Sequence, residues 1–577
     1  NATLNTKETS DYTNITNNFS MEWKPIQEFT LRGTFGIYTQ TSNTDNYLPP
    51  EHTSFADYTD ENYFRRGSYD YSTNKSSRYN FSLTANYSKV FAEKHMVYAG
   101  LNMDLEDQRS RGYSFSVEGF PSGSLDFLSV AMQYKENGKP GGSESKSRRV
   151  GFVGNASYSF EDRYFVDASF RTDGSSLYGS DRRFAPFWSA GIGWNIHREG
   201  FMSDVDWINR LKIRASVGET GSNNFSSYEA MATYAYSLSD RYYNWMGANM
   251  KALANPDLEW QKTMKYNAGI EVNMLNNRLS MICDLYLERT NGLMSSLELP
   301  PSNGFSSYKA NIGKLENKGF ELKVTGYLLR DTERELIWSV TGSLVRNKDK
   351  IIELSEAMKE ANATLLETGG ATPNKIWQEG DSQNAIYAVR SLGIDPSNGR
   401  ELFLKKNGEV TYTWDANDRV FCGVDQPDYR GNINTMFMWK DLSVNLSFGY
   451  EWGGQQYNST LISRVENADK KYNVDRRVYE DRWKEPGDRT FFKGINETTA
   501  TQATSRFVQD EATFTCQNLN VTYDLKGNKW LKRNLGIQTL TLKGDIADLF
   551  RISTIKQERG TSYPFSRQFS FTLSAMF

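Results

Sequence analysis

Residues 79–91 read YNFSLTANYSKVF. Tyr79, Phe81, Leu83, Ala85 and Tyr87 alternate with Asn80, Ser82, Thr84, Asn86 and Ser88. Successive side chains of an extended strand point to opposite faces, so this stretch predicts a strand with one apolar and one hydrogen-bonding face. The chain finishes the same way. In FSFTLSAMF, residues 569–577, Phe569, Phe571, Leu573, Ala575 and Phe577 share one face. A soluble sandwich and a barrel in lipid both use such strands, and the links between strands separate the two.

The alternation recurs at 14–24, 28–38, 94–105, 149–160, 163–173, 187–197, 210–219, 262–274 and 278–290. It continues at 315–329, 335–346, 431–439, 442–452, 513–524, 536–546 and 564–577. With 78–91 this makes about seventeen strands, most near the roughly ten residues that a tilted membrane strand requires. Short turns lie at 24–28, 91–94, 160–163, 274–278 and 439–442. Between them run long links at 39–77, 106–148, 220–261, 291–314, 347–430 and 453–512. Short and long links alternate, as periplasmic turns and external loops do in outer-membrane barrels. The expected fold is therefore all-β: an antiparallel transmembrane β-barrel with long extracellular loops in a bacterial outer membrane. Trp23, Phe29, Phe91, Phe160, Tyr164 and Trp439 flank short turns, where an aromatic girdle is expected, and the last strand brings Phe577 to the same periplasmic edge. Bacterial single-chain barrels have even strand numbers, so an odd count predicts an odd number of strands upstream of Asn1. A plugged transporter of about 22 strands would leave roughly five of them there.

Composition agrees. Mean hydropathy is −0.65 and 38% of residues are hydrophobic, with no apolar run long enough for a membrane helix. Alternating strands dilute hydropathy in just this way. A net charge of −3 without a long basic cluster gives no argument for nucleic acid. Cys283, Cys422 and Cys516 have neither metal spacing nor a disulfide framework. His52, His95 and His197 are far apart, and no nucleophile elbow or P-loop occurs, so no catalytic residue, metal or cofactor is expected. No signal peptide opens the chain, and the strand organisation favours a truncated product. A helix is expected in KDKIIELSEAMKEA, residues 348–361, with Ile351, Ile352, Leu354 and Met358 packing a long link onto the barrel mouth. Two links are rich in aromatics, 61–71 and 234–245. In the second, Tyr242, Tyr243 and Trp245 are candidates to stack on a sugar ring or grip a peptide; filling a loop is the alternative.

Several stretches together resemble one family. They are FRTDGSSLYG (170–179), PFWSAGIGWNI (186–196), LKIRASVGETG (211–221) and NPDLEWQKTMKYNAGIEV (255–272). NIGKLENKGFEL (311–322), DRWKEPGD (481–488), DIADLF (545–550) and RGTSYPFSRQFSF (559–571) carry the match onward. The chain resembles the C-terminal barrel portion of the SusC/RagA-type TonB-dependent transporters of Bacteroidetes. That resemblance implies a 22-stranded barrel plugged by an N-terminal domain, energised by TonB with ExbB and ExbD, and capped by a SusD-like surface lipoprotein. It implies active import of an oligosaccharide or oligopeptide, and Phe577 as the C-terminal aromatic read by the barrel-insertion machinery. The plug, the TonB box and the first strands are absent from this chain, which is taken as part of a longer polypeptide. A passive porin, an outer-membrane barrel enzyme and a soluble sugar-binding β protein are the rival readings.

Overall fold

The protein is described by a computed structural model covering residues 5–577 apart from 137, 223–226, 299–304, 306, 312, 355, 368, 470, 472, 527–528 and 557–565. It forms two compact units. One comprises residues 1–161, 166–190 and 221–260; the other comprises 162–165, 191–220 and 261–577.

Every strand expected from the alternation is present. In the first unit Lys7–Ile26, Phe29–Leu48, Ser68–Phe91, His95–Glu118 and Gly141–Phe160 pair in that order as an antiparallel meander. Tyr164–Ser175, Phe184–Asn195 and Ile208–Ser222 follow in the chain. In the second unit nine strands pair neighbour to neighbour. They are Gln261–Met274, Leu279–Asn291, Lys314–Asp331, Leu336–Glu353, Tyr429–Trp439, Leu442–Tyr457, Val508–Lys526, Thr539–Ser553 and Phe569–Met576. The last begins at Phe569; residues 564 and 565 lie outside those described.

Register sorts the two faces. Met21, Gly33, Leu83, Met103 and Phe152 stand in one cross-strand row. Ser20, Thr34, Ser82, Asp104 and Gly151 form the next, on the opposite face. The second unit repeats this. Phe571, Gly544, Val521, Val444, Phe437 and Trp338 make an apolar row beside a polar one of Thr572, Lys543, Thr522 and Ser443. Large apolar side chains are exposed on one face, among them Leu101 at 67% and Leu285 at 58%. Such a face suits hydrocarbon, not water. The other face is a hydrogen-bonded ladder. Asn102 donates to Ser82 Oγ at 3.0 Å and Thr84 Oγ1 at 2.8 Å. Asn520 donates to Asp545 at 2.7 Å.

Three expectations need correction. Several strands are far longer than expected: Ser68–Phe91 and His95–Glu118 have 24 residues each. Their distal halves, such as SYDYSTNKSS, carry polar residues on both faces, so backbone pairing continues where apolar alternation has stopped. The links are correspondingly shorter. The expected helix starts later, because Ile351 and Ile352 still belong to the strand Leu336–Glu353 and the helix runs Glu356–Glu367. The packing role survives the shift. Ile351 and Leu354 are buried with Leu315, and Met358 packs against them. Finally, 347–430 is not mere loop. It contains a four-stranded sheet of Ala385–Ile394, Glu401–Leu404, Val410–Thr411 and Arg419–Val424.

Candidate functional site at the long links

Two of the stretches that carried the family resemblance meet in space. Tyr178 and Leu258 are buried, Tyr178 stacks on Trp260 with ring centroids 4.3 Å apart, and Gly179 N–H donates to the Leu258 carbonyl at 3.1 Å. A Cβ at Gly179 would stand 1.8 Å from the Pro256 carbonyl oxygen, so only glycine fits that crossing. These motifs lock two links of the first unit together. Elsewhere in the first unit, Tyr47, Tyr69 and Phe120 form a buried aromatic cluster, and Arg65 bridges Glu118 at 2.8 Å and Glu136 at 2.6 Å. Tyr69, from the aromatic stretch 61–71, is filler there and not a ligand anchor.

In the second unit the two longest links fold into one body. Ile462, Val465, Val478, Phe492 and Phe507 make its core, with Tyr457 packed against them. An inner strand of the small sheet, Ala385–Ile394, joins in: Val389 bridges Thr504 in parallel, and Ser391 N–H donates to Ser505 Oγ at 2.9 Å. Trp414 donates to the Ala503 carbonyl at 3.1 Å, and Trp483 to the Pro396 carbonyl at 2.9 Å. At the centre Arg506 reaches Glu401 and Glu466, each at 2.7 Å, with all three side chains at most 5% exposed. Burial opposes the charge on Arg506, but the two carboxylates outweigh it and raise the guanidinium above its ordinary range. Arg482 is buried too and donates to the carbonyls of Val465 at 2.5 Å and Glu466 at 2.6 Å.

This platform carries a cleft of about 360 Å³ whose lining includes Arg400, Phe403, Tyr412, Trp414, Lys493 and Glu497. Lys493 is buried, donates to the Thr499 carbonyl, and burial pulls its ammonium below the usual lysine range. Arg400 stands 3.7 Å from Glu497 and its guanidinium lies over the Tyr412 ring. Aromatic faces beside fixed charges of both signs can hold a polar oligomer by stacking and hydrogen bonding.

The candidates named from sequence fall elsewhere. Tyr243 and Trp245 lie at the tip of the hairpin Thr233–Tyr242 and Trp245–Ala252, 88% and 77% exposed, with Tyr243 at a φ of 57°. The side chain of Tyr242 lies outside those described. The cleft on the small sheet was missed. Its signal was the run TYTW at 411–414, which lacks strand-length alternation and reads as ordinary loop. The histidines are each used locally. His52 Nδ1 accepts from Ser54 N–H at 3.1 Å, His95 Nδ1 meets Tyr158 Oη at 2.8 Å, and His197 Nδ1 meets the Leu211 carbonyl at 3.2 Å. Phe577, just past the last strand, is 75% exposed.

Residues 1–350 match the family described as TonB dependent receptor-like, beta-barrel. The chain is similar to the TonB-dependent receptor P39 of Formosa agariphila, 24% identical over 519 residues, covering 81% of this chain and 48% of that protein. It is also similar to the TonB-dependent receptor SusC of Bacteroides thetaiotaomicron, 27% identical over 338 residues, covering 56% of this chain and 33% of SusC. The chain spans about half the length of the Formosa relatives it matches. Among solved structures the RagAB peptide transporter superposes with a TM-score of 0.83 at 22% identity, covering 96% of this chain and 59% of that one, which is a likeness of fold.

Proposed function

Since this chain belongs to the TonB-dependent receptor-like β-barrel family, in its SusC/RagA branch, and so resides in the outer membrane, we propose that the whole protein actively imports an oligomeric nutrient, an oligosaccharide or an oligopeptide. The family is one of receptors and transporters, not enzymes. The observation that carries the proposal is the platform built from 347–430 and 453–512. Two long links form a buried core and a buried ion triad beside a formed cleft, which is more structure than closing a pore requires. A surface of that kind suits a lid-forming partner and an oligomeric cargo.

In this reading a SusD-like surface lipoprotein docks on the platform, and the cargo is first held in the cleft and then released into the lumen. Ladders of Asn, Ser and Thr line that lumen and offer exchangeable hydrogen bonds without gripping the cargo. Tyr243 and Trp245 serve as stacking contacts at the outer end. A plug, a TonB box and the first strands precede Asn1, and TonB with ExbB and ExbD drives the cycle through them. Phe577 serves as the aromatic read during barrel insertion. Purification of the full-length protein from native membranes in mild detergent should bring down a lipoprotein, and growth on the cognate oligomer should require TonB. A barrel that purifies alone and supports uptake without TonB would favour a passive porin.

A further inference from the structure

The outward face of the first unit changes character abruptly. Four successive cross-strand rows are apolar or small: Tyr87–Ala99–Ala156, Ala85–Leu101–Gly154, Leu83–Met103–Phe152 and Phe81–Leu105–Val150. The next three rows, toward the long links, are Tyr79–Asp107–Arg148, Ser77–Arg109–Lys146 and Lys75–Arg111–Glu144. They set five cations against two carboxylates on the same face, a net of three positive charges. Charges on the lipid side are strongly disfavoured at mid-membrane and tolerated near the interface, so these rows mark the headgroup level. The carboxylates act as braces. Asp107 holds Arg109 at 2.9 Å and Arg148 at 2.8 Å, and Glu144 holds Arg111 at 3.0 Å. A guanidinium has five N–H donors, so a braced arginine keeps donors for another anion. Lys75 and Lys146 have no carboxylate partner among the described residues.

Below the cations a cleft of about 610 Å³ opens, lined by Phe35, Tyr79, Phe81, Leu105, Arg148 and Phe184 among others. It is apolar toward the belt, and toward the long links Arg148, Arg149 and Arg183 outnumber Glu106 and Asp107 in its lining. The geometry points to a binding site for one phosphorylated lipid of the outer leaflet, with an acyl chain along the aromatic cleft and the phosphate between Arg109, Arg148 and the two lysines. Guanidinium–phosphate pairing is bidentate and charge-assisted, and a neutral headgroup would leave the excess positive charge unmatched.

Native mass spectrometry of the full-length protein, extracted in mild detergent, should show about one retained phosphorylated lipid per barrel. Juxtamembrane cations favour anionic lipid by roughly fivefold each, so Arg109→Ala with Arg148→Ala should weaken retention by about 25-fold. Arg78→Ala removes a guanidinium that lies over the Tyr38 ring on the opposite face, away from the cleft, and should leave retention unchanged. Lys75→Ala with Lys146→Ala breaks no brace and should show a comparable loss, so the test stands even if the arginine variant fails to insert. Retention equal in wild type and the lysine variant overturns the site, as does equal retention of a dephosphorylated lipid. Inorganic phosphate alone, if it protects the barrel from heat as well as the lipid does, makes this a free-anion site and overturns the lipid assignment.

Discussion

At the scale of single residues the wall depends on parity. Leu83 and Ser82 are neighbours in sequence and face opposite solvents, one in the row of Met103 and Phe152, the other in the row of Asp104. Leu83→Arg places a charge near the middle of the apolar belt and should destabilise the barrel by about 2–4 kcal/mol. Ser82→Arg adds a cation beside Asp104, where water and carboxylates meet it, and should cost much less. Folding in lipid vesicles at graded urea measures both, and equal losses would mean that the belt is misassigned. Parity was legible because lipid demands an unbroken apolar alternation. Arg506 was not legible. Its partners Glu401 and Glu466 are 105 and 40 residues away in sequence, and an isolated arginine in a polar link gives no sign of burial.

At the scale of elements, strand existence was readable and strand extent was not. The belt imposes a pattern on roughly ten residues, and beyond it nothing does, so the distal halves of Ser68–Phe91 and His95–Glu118 looked like loop. The small sheet of 385–424 was hidden for a related reason. Its strands are short, and Ala385–Ile394 begins with five consecutive buried residues, which removes the alternation. The tight turns were found by length and not by composition. Ala92 and Glu93 adopt φ of 49° and 59° without the glycine or asparagine such turns favour. Orientation gives a direct test. An epitope between Ala92 and Glu93 should be silent on intact cells, and one at Asn407–Gly408 should be reached by antibody. The reverse pattern would invert the barrel. The last strand allows a second test. Phe577 is 75% exposed, so Phe577→Ala removes little packing. It should lower the amount of barrel in the membrane several-fold while leaving the melting temperature of the inserted fraction nearly unchanged. A matching loss of thermal stability would make Phe577 a packing residue and not an assembly signal.

At the scale of the whole molecule, two kinds of order coexist and should come apart separately. Within each unit the wall is held by cross-strand pairing and by lipid. The platform is held by five buried apolar side chains and the Arg506 triad. A body so small depends strongly on each buried group. Removing one partner of a buried ion pair costs about 3–5 kcal/mol, because the remaining charges stay buried without compensation. Arg506→Gln strands two carboxylates beside the Phe507 core, and that penalty exceeds what a small loop core can absorb. The substitution should therefore open 347–430 and 453–512 to protease while the wall stays intact, which peptide mapping of the membrane fraction would show. The proposed lipoprotein partner should then be lost from the purified full-length protein, because the surface proposed for its docking no longer exists as one body. Restoring neutrality with Glu401→Gln and Glu466→Gln in the same chain should recover part of the protease resistance. If Arg506→Gln leaves the links protected and the partner bound, the ion triad does not organise the platform, and docking must rest on the hairpin at 233–252 or on another link.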